Sequence, residues 1–341
     1  MAVKSHTFDE LDRQLALALQ LDGRQPFSRI AEVLGVSDQT IARRYTRLRG
    51  EGVLRVLGLT DPAAVGETSW LIRVRCTPDA AGTVAEALAR RDDTTWVSLN
   101  SGGTEITCVS RSAVGADDHT LLLQRLPRTP NVVTLSAHCV MHTFFGGSSG
   151  LVNKTGVLTP EQVRRLSPVE PPSRPARPTR PARPVLLDEQ DRRLLAVLGE
   201  DGRAGFAELA AATGWSQSTV RRRMAELQDS GALYFDMDFE LQMFGLDARV
   251  LLWLSVPPAE LAATGAALAE HPEVAYACAT TGESNLHAVV MCPDMNSLYT
   301  YLTTRIASLP AVRQLETSPI MRKVKGASPR PATAPWGRAR G

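Results

Sequence analysis

Two short basic segments hold the side chains best suited to chemistry. In the first, Gln39 and Thr40 are followed by Arg43, Arg44 and Arg47; in the second, Ser218 and Thr219 are followed by Arg221, Arg222 and Arg223. Amides and hydroxyls can exchange hydrogen bonds with base edges, and a guanidinium can grip guanine or a phosphate. Ile41, Tyr45 and Leu48 recur at i, i+4 and i+7, as do Val220, Met224 and Leu227. That spacing predicts a helix with a core stripe and leaves the polar residues on its outer face. Ser37 and Ser216 suit the N-cap of each helix, and Gly35 and Gly214 suit the end of the helix before it. A short helix, a glycine turn and a serine-capped basic helix form the helix-turn-helix arrangement, whose second helix enters the major groove. The ten polar residues are therefore candidate contacts to double-stranded DNA. Glu226 stands where the first segment has Arg47, so the second is expected to bind DNA more weakly.

Other constellations offer less. In a strand His138 and His142 would share one face while Cys139 points away, and the equivalent places hold Ser318 and Arg322, so no metal site is expected. No Ser/His/Asp set, phosphate loop or pair of catalytic carboxylates stands out, so neither catalytic residues nor a cofactor is expected. Trp70, Trp96 and Trp253 read as core.

The elements that position these side chains come in two copies. The segment from Phe8 aligns without gaps on the one from Leu187 at an offset of 179. Asp9 meets Asp188, Asp12 meets Asp191, and the Asp-Gly-Arg turn ending at Arg24 meets the one ending at Arg203. Phe27 meets Phe206, Arg43 and Arg44 meet Arg222 and Arg223, and Gly52 meets Gly231. The same offset relates Gly66 to Gly245 and Gly103 to Gly282, and it shifts by one where Pro130 meets Pro310 and Leu135 meets Leu315. The chain is a tandem duplication.

Each copy opens with a helix capped by Asp9 or Asp188, with Leu11, Leu15 and Leu19, or Leu194, Leu195 and Leu198, on its buried side. After the helix-turn-helix, 55–62 and 234–241 read as connecting strands. A strand, a helix, two strands joined by a glycine turn, a helix (116–126 and 295–309) and a last strand after Pro130 or Pro310 follow. The order βαββαβ predicts a ferredoxin-like antiparallel sheet with helices on one face, and an α+β fold overall. The expected divisions are helix-turn-helix domains at 7–58 and 186–237, βαββαβ domains at 66–145 and 245–325, a linker at 146–185 and a disordered tail at 326–341. Within the linker, Thr159, Pro160 and Gln162 predict the capped start of a short helix. Beyond it, Arg174, Arg177, Arg180 and Arg183 recur every third residue, each before a proline. In polyproline II, with three residues per turn, they would form one basic edge.

Bulk properties fit this reading. The 341 residues suit several domains, 43% hydrophobic residues suffice for cores, and a net charge of +2 requires any nucleic-acid surface to be local. Five cysteines without metal or disulfide spacing suggest reduced thiols and a cytoplasmic protein. No signal-peptide pattern is apparent, and no apolar run reaches the roughly 18 residues of a membrane span.

A trihelical helix-turn-helix, a connecting strand and a βαββαβ domain resemble the Lrp/AsnC family of transcription regulators. The resemblance covers both copies. It rests most on the D-x-x-D-R opening, the Asp-Gly-Arg turn, the G-x-S turn and the segment TGESNLHAVV from Thr281; the first copy departs from the last with SGGTEITCVS. It implies homo-oligomers built through the βαββαβ domains and small effectors, often amino acids, bound between those domains near the glycine turn. Gly102, Gly103, Thr281 and Gly282 are the matching turn residues. Glu105, Glu283 and Asn285 beside them are candidates for an effector's ammonium group. Because one chain carries two units, it can be its own pseudo-dimer. Siroheme decarboxylases, enzymes acting on a tetrapyrrole, also resemble this family and can be two-unit fusions. Against that alternative, the segments after the helix-turn-helices, 50–70 and 229–250, contain no histidine.

Overall fold

The computed structural model describes residues 8–113, 121–147, 154, 156–167 and 183–327. The chain opens with α1 (Glu10–Leu21), α2 (Phe27–Leu34) and α3 (Asp38–Gly50). Asp9 caps α1 with a reciprocal bond to Asp12, Gly35 ends α2 at φ 71°, and Ser37 caps α3 through the Thr40 amide. The second copy repeats this in α6 (Glu189–Glu200), α7 (Phe206–Thr213) and α8 (Gln217–Asp229), with Asp188, Gly214 and Ser216 in the same roles. The expected cores form: Leu15, Leu19 and Ile41 in one head, and Leu194, Leu198 and Val220 in the other, are fully buried.

The strands after the heads, β1 (Leu54–Thr60) and β6 (Leu233–Phe239), pair with each other across the duplication, Leu57 opposite Asp236. The Asp-Gly-Arg turns lock the same junction. Arg24 donates to the Gly202 and Ala204 carbonyls at 2.7 and 2.9 Å, and Arg203 returns bonds to Gly23 and Gln25 at 2.7 and 3.1 Å. Each guanidinium also stacks on the other head's phenylalanine, Phe206 or Phe27.

Each βαββαβ domain forms the expected four-stranded sheet. In the first, β2 (Glu67–Cys76), α4 (Ala81–Ala89), β3 (Thr94–Asn100), β4 (Glu105–Ala113) and β5 (Val132–Phe145) give the order β3-β4-β2-β5. In the second, β7 (Ala248–Ser255), α9 (Leu261–Ala269), β8 (Val274–Thr280), β9 (Leu286–Cys292), α10 (Met295–Tyr301) and β10 (Gln314–Lys323) give β8-β9-β7-β10. β5 pairs with β8 and β10 with β3, which closes both sheets into one eight-stranded antiparallel barrel. The chain is its own pseudo-dimer. Helices cover the outer face of each sheet, over Ile72, Val74 and Ile106 in one half and Val250, Leu252 and Leu286 in the other. The alternate residues, among them Leu71, Leu251 and Trp253, face the interior.

Several expectations shift. The one-residue change of offset falls by the first sheet strand, because Leu71 opposite His138 and Leu251 opposite Ser318 already lie 180 residues apart, as do Ala81–Ala89 and Leu261–Ala269. Gly102, not Gly103, is therefore the equivalent of Gly282; a one-residue slip in a strand exchanges the two faces. A bulge between Val140 and His142 breaks the alternation in β5, so His138 points inward while His142 packs edge-on against Phe144, away from it. Among the described residues no cluster of His, Cys, Asp and Glu is fit for a metal. The linker is partly structured: α5 (Pro160–Leu166) has its capping box and buries Leu166 against the first head. Lys154 donates to the Ala269, His271 and Val274 carbonyls, at 2.6, 2.8 and 2.9 Å. The expected arginine ridge at Arg174, Arg177 and Arg180 lies outside the described residues, as do the first part of the 116–126 helix and the tail from 328. Gly326 and Ala327, assigned to that tail from sequence, are packed: the Gly326 carbonyl accepts from the Trp96 amide, and Ala327 is buried against Leu57 and Leu59.

Candidate nucleic-acid interface and effector site

The recognition helices divide their arginines between two tasks. Gln39, Arg43 and Arg47 on α3, and Ser218, Arg221 and Arg222 on α8, are exposed, while Thr40 and Thr219 are half-buried with hydroxyls bonded to the capping Ser37 and Ser216. Arg44 and Arg223 turn inward, which corrects the expectation that they lie on the outer face. Asp12 and Asp191 are buried in the first helix of each head, and a carboxylate there needs a cation. Arg44 meets Asp12 at 2.8 Å and Asp9 at 2.7 Å, and Arg47 reaches the other Asp12 oxygen at 2.7 Å. Arg223 grips Asp191 with two bonds of 2.8 and 2.7 Å. That hydrogen bond raises the pKa of Arg223. Burial opposes the charge on Arg44, but its bonds to Asp12 and Asp9 prevail and raise its pKa too.

The two faces that remain are unequal. Arg43 has no ion pair with any described residue. Arg222 lies 3.7 Å from Glu226, which also holds Arg223 at 3.1 Å, and Arg221 stacks on Phe206 at 4.2 Å. The acidic residue at the place of Arg47 thus neutralises part of the second face.

The candidate effector residues separate as well. Gly102 and Gly103, at φ 76° and 82°, have open space where a Cβ would stand. Gly282, at φ 107°, lies against the first copy, where a Cβ would come within 2.6 Å of His138 Nδ1. The Thr281 carbonyl accepts from that nitrogen at 2.9 Å, and the Thr281 hydroxyl accepts from the Cys139 amide at 2.9 Å. Glu283 is exposed at the turn. Asn285 is committed to structure, holding both backbone groups of Val256 at 3.0 and 2.8 Å, which corrects its place among the candidate contacts. Glu105 faces the barrel interior, where Arg73 donates to it at 2.7 Å and also pairs with Glu316. Trp253 lies under Arg73 at 4.8 Å and meets His287 and His138 with ring centres 4.2 and 5.4 Å away. Sequence reasoning named Glu105 but not Arg73, His287 or Glu316, and it assigned Trp253 only to core. The signal was faint: charged residues alternating with apolar ones in strands read as solvent-facing.

Family models match both the heads and the second sheet. The AsnC-type helix-turn-helix domain matches residues 8–49 and 187–228, and the Lrp/AsnC ligand binding domain matches 249–329. An uncharacterized HTH-type transcriptional regulator of Pyrococcus abyssi is 30% identical over 142 residues, 41% of this chain and 89% of that protein. The chain belongs to the Lrp/AsnC family. Regulatory protein AsnC of Escherichia coli is 28% identical over 147 residues, 41% of this chain and 97% of that protein. HTH-type transcriptional regulator FL11 of Pyrococcus horikoshii is 25% identical over 142 residues, covering 41% and 93%. These Lrp/AsnC relatives each match one stretch of 41% of this chain, whereas this member carries the helix-turn-helix twice. The siroheme decarboxylase NirDL shares the two-unit fold, with a TM-score of 0.61 over 93% of both chains at 14% identity.

Proposed function

We propose that this Lrp/AsnC protein is a sequence-specific regulator of transcription in which one chain presents both DNA-reading heads. The observation that carries this reading is the pair of capped basic helices, α3 and α8, in heads fastened together by reciprocal Arg24 and Arg203 bonds. Gln39, Thr40, Arg43, Ser218, Thr219, Arg221 and Arg222 are the reading residues; Arg44 and Arg223 hold the heads in shape, and Arg47, exposed but bonded to Asp12, takes part in both tasks. A small effector, with an amino acid the leading class, acts through the ligand-binding domains. The glycine turn at Thr281 and Gly282 crosses to His138 of the other copy, so a ligand there would bear on the seam between the halves. Further association between chains would use the outer surfaces of the same domains, since each sheet edge is already paired within the chain. The setting is cytoplasmic; among the described residues no helix is long and apolar enough to cross a membrane.

The relatives with matching sequences are named as regulators, and the likeness to the decarboxylase is one of fold, so the reading is of a regulator and not an enzyme. Selection from a random DNA pool with the purified chain tests it. Enrichment of a bipartite site is expected. Failure to enrich any sequence, together with a visible-spectrum change on adding siroheme, would replace it with the tetrapyrrole reading.

A further inference from the structure

The inward faces of the barrel strands enclose polar groups that DNA reading does not use. Asn100, His287 and Ser318 are fully buried, and Glu105 and Trp253 nearly so. Each keeps one polar atom without a hydrogen-bond partner among the described residues: Asn100 Oδ1, Glu105 Oε1, Trp253 Nε1, His287 Nδ1 and Ser318 Oγ. Folded proteins pair nearly all buried polar atoms, because an unmade bond costs the group its full desolvation. These five come from five different strands and from both copies. Such a set marks a place that a polar partner completes.

Which atoms are unpaired dictates the chemistry of that partner. The Ser284 carbonyl can only accept, so the 3.0 Å contact from His287 Nε2 places the proton there and leaves Nδ1 a bare lone pair. Burial, with His138 opposite, lowers the His287 pKa to about 3 and keeps the ring neutral. Asn100 Nδ2 donates to Thr107 at 2.9 Å, which leaves Oδ1 as an acceptor beside the carboxylate oxygen of Glu105. Asn100 and Glu105 are direct partners across the β3–β4 ladder, and Trp253 and His287 across β7–β9. The first pair offers acceptors only. The second offers one donor, the indole N–H, and one acceptor. Arg73 lies between Glu105 and Glu316, and the half-exposed Arg75 also reaches Glu316 at 3.2 Å and Glu105 at 3.6 Å, so the four charges balance while Glu105 Oε1 keeps a free acceptor position.

We propose that the barrel interior binds one small primary amine that also carries a neutral hydroxyl or carboxamide. The ammonium group donates to Glu105 and Asn100, and the neutral group accepts from Trp253 and donates to His287. A free carboxylate suits the second pair poorly, because His287 presents a lone pair and Arg73 is already engaged by Glu105 and Glu316. The duplication allows one such site per chain. At the places 180 residues away Glu105 becomes Asn285, Asn100 becomes Thr280, His287 becomes Thr107 and Trp253 becomes Arg73. As an effector pocket the site rests on the functional reading above; as a binding site it stands alone.

Titration calorimetry on the full chain tests the proposal, with 2-aminoethanol, its homologues to 5-aminopentanol, and alaninamide as probes. Matched diols and free alanine are the comparison ligands. At least one amine should bind, with the diols at least tenfold weaker, since a charge-assisted bond worth about 1.4 kcal/mol is tenfold in affinity. Glu105→Gln should weaken the amine by a similar factor. Trp253→Phe, which keeps the ring and removes the N–H, should weaken it several-fold and serves if Glu105→Gln fails to fold. No binding by any amine, or binding that ignores both substitutions, overturns the site. Amine binding that leaves operator affinity unchanged keeps the site and removes it as the effector pocket. A compound that shifts operator affinity while ignoring both substitutions keeps the effector reading and overturns this site.

Discussion

Removing Arg223 separates structural arginines from reading ones. Asp191 is wholly buried, and its two oxygens take both bonds from the Arg223 side chain; its remaining bond reaches back to the Asp188 amide. Arg223→Ala leaves a buried carboxylate with no cation in contact. Breaking a buried pair by deleting one partner costs about 3–5 kcal/mol. Because Arg223 keeps 26% of its side-chain surface, about 3 kcal/mol is the better figure, as water can enter beside Asp191. Arg44→Ala should cost less, about 1 kcal/mol, because Arg47 still holds the second oxygen of Asp12 at 2.7 Å. Arg222→Ala, at a side chain 75% exposed, should stay within about 0.5 kcal/mol. Denaturant unfolding of the three variants, followed by helical signal, measures the order 223, 44, 222. Gel-shift titration on a selected operator, well below the unfolding midpoint, should show Arg222→Ala as the affinity mutant. If Arg223→Ala left the unfolding midpoint in place and abolished binding, the structural assignment of Arg223 would be wrong.

Arg43→Ala should weaken operator binding by about 1–3 kcal/mol with the fold intact, and Glu226→Arg should strengthen binding by the second head; gel shifts on half-sites read both. Gly282→Ala should destabilise the barrel, as its Cβ would stand 2.6 Å from His138 Nδ1, whereas Gly102→Ala meets nothing and bears only its backbone strain, about 1 kcal/mol; paired thermal melts compare them. Burial and the nearby Asp238 raise the Asp236 pKa to about 6, so the native state binds a proton more tightly than the unfolded chain. Stability should therefore fall as pH rises from about 4 to 6 and stay lower above. Asp236→Asn should remove that loss, a gain of about 1–3 kcal/mol at pH 7.5 that vanishes below pH 4; unfolding at both pH values checks the sign.

The sequence by itself determined the duplication, the caps and the element order. Asp9, Ser37 and Gly35 act through bonds and dihedrals a few residues away, so their roles follow from local spacing, and they recur as Asp188, Ser216 and Gly214. The ferredoxin-like sheets were legible because runs rich in apolar and β-branched residues, such as 70–76 and 249–256, recur in the same order in both copies. Tertiary structure decided what lies far apart in the chain. Arg43 and Arg44 are adjacent and chemically identical, and only the buried Asp12 on another helix makes one a structural group and leaves the other to read DNA. The pairing of β1 with β6, and the closure of β5 on β8 and β10 on β3, depend on backbone edges that carry no residue signature, because any strand offers the same amides and carbonyls. Arg73 meets Glu316 across 243 residues of chain, and Glu105 shares their interior with His287 from the other copy. Charges in alternating strands read as solvent-facing until two sheets close on them, so the polar interior emerged only when the duplicated halves joined.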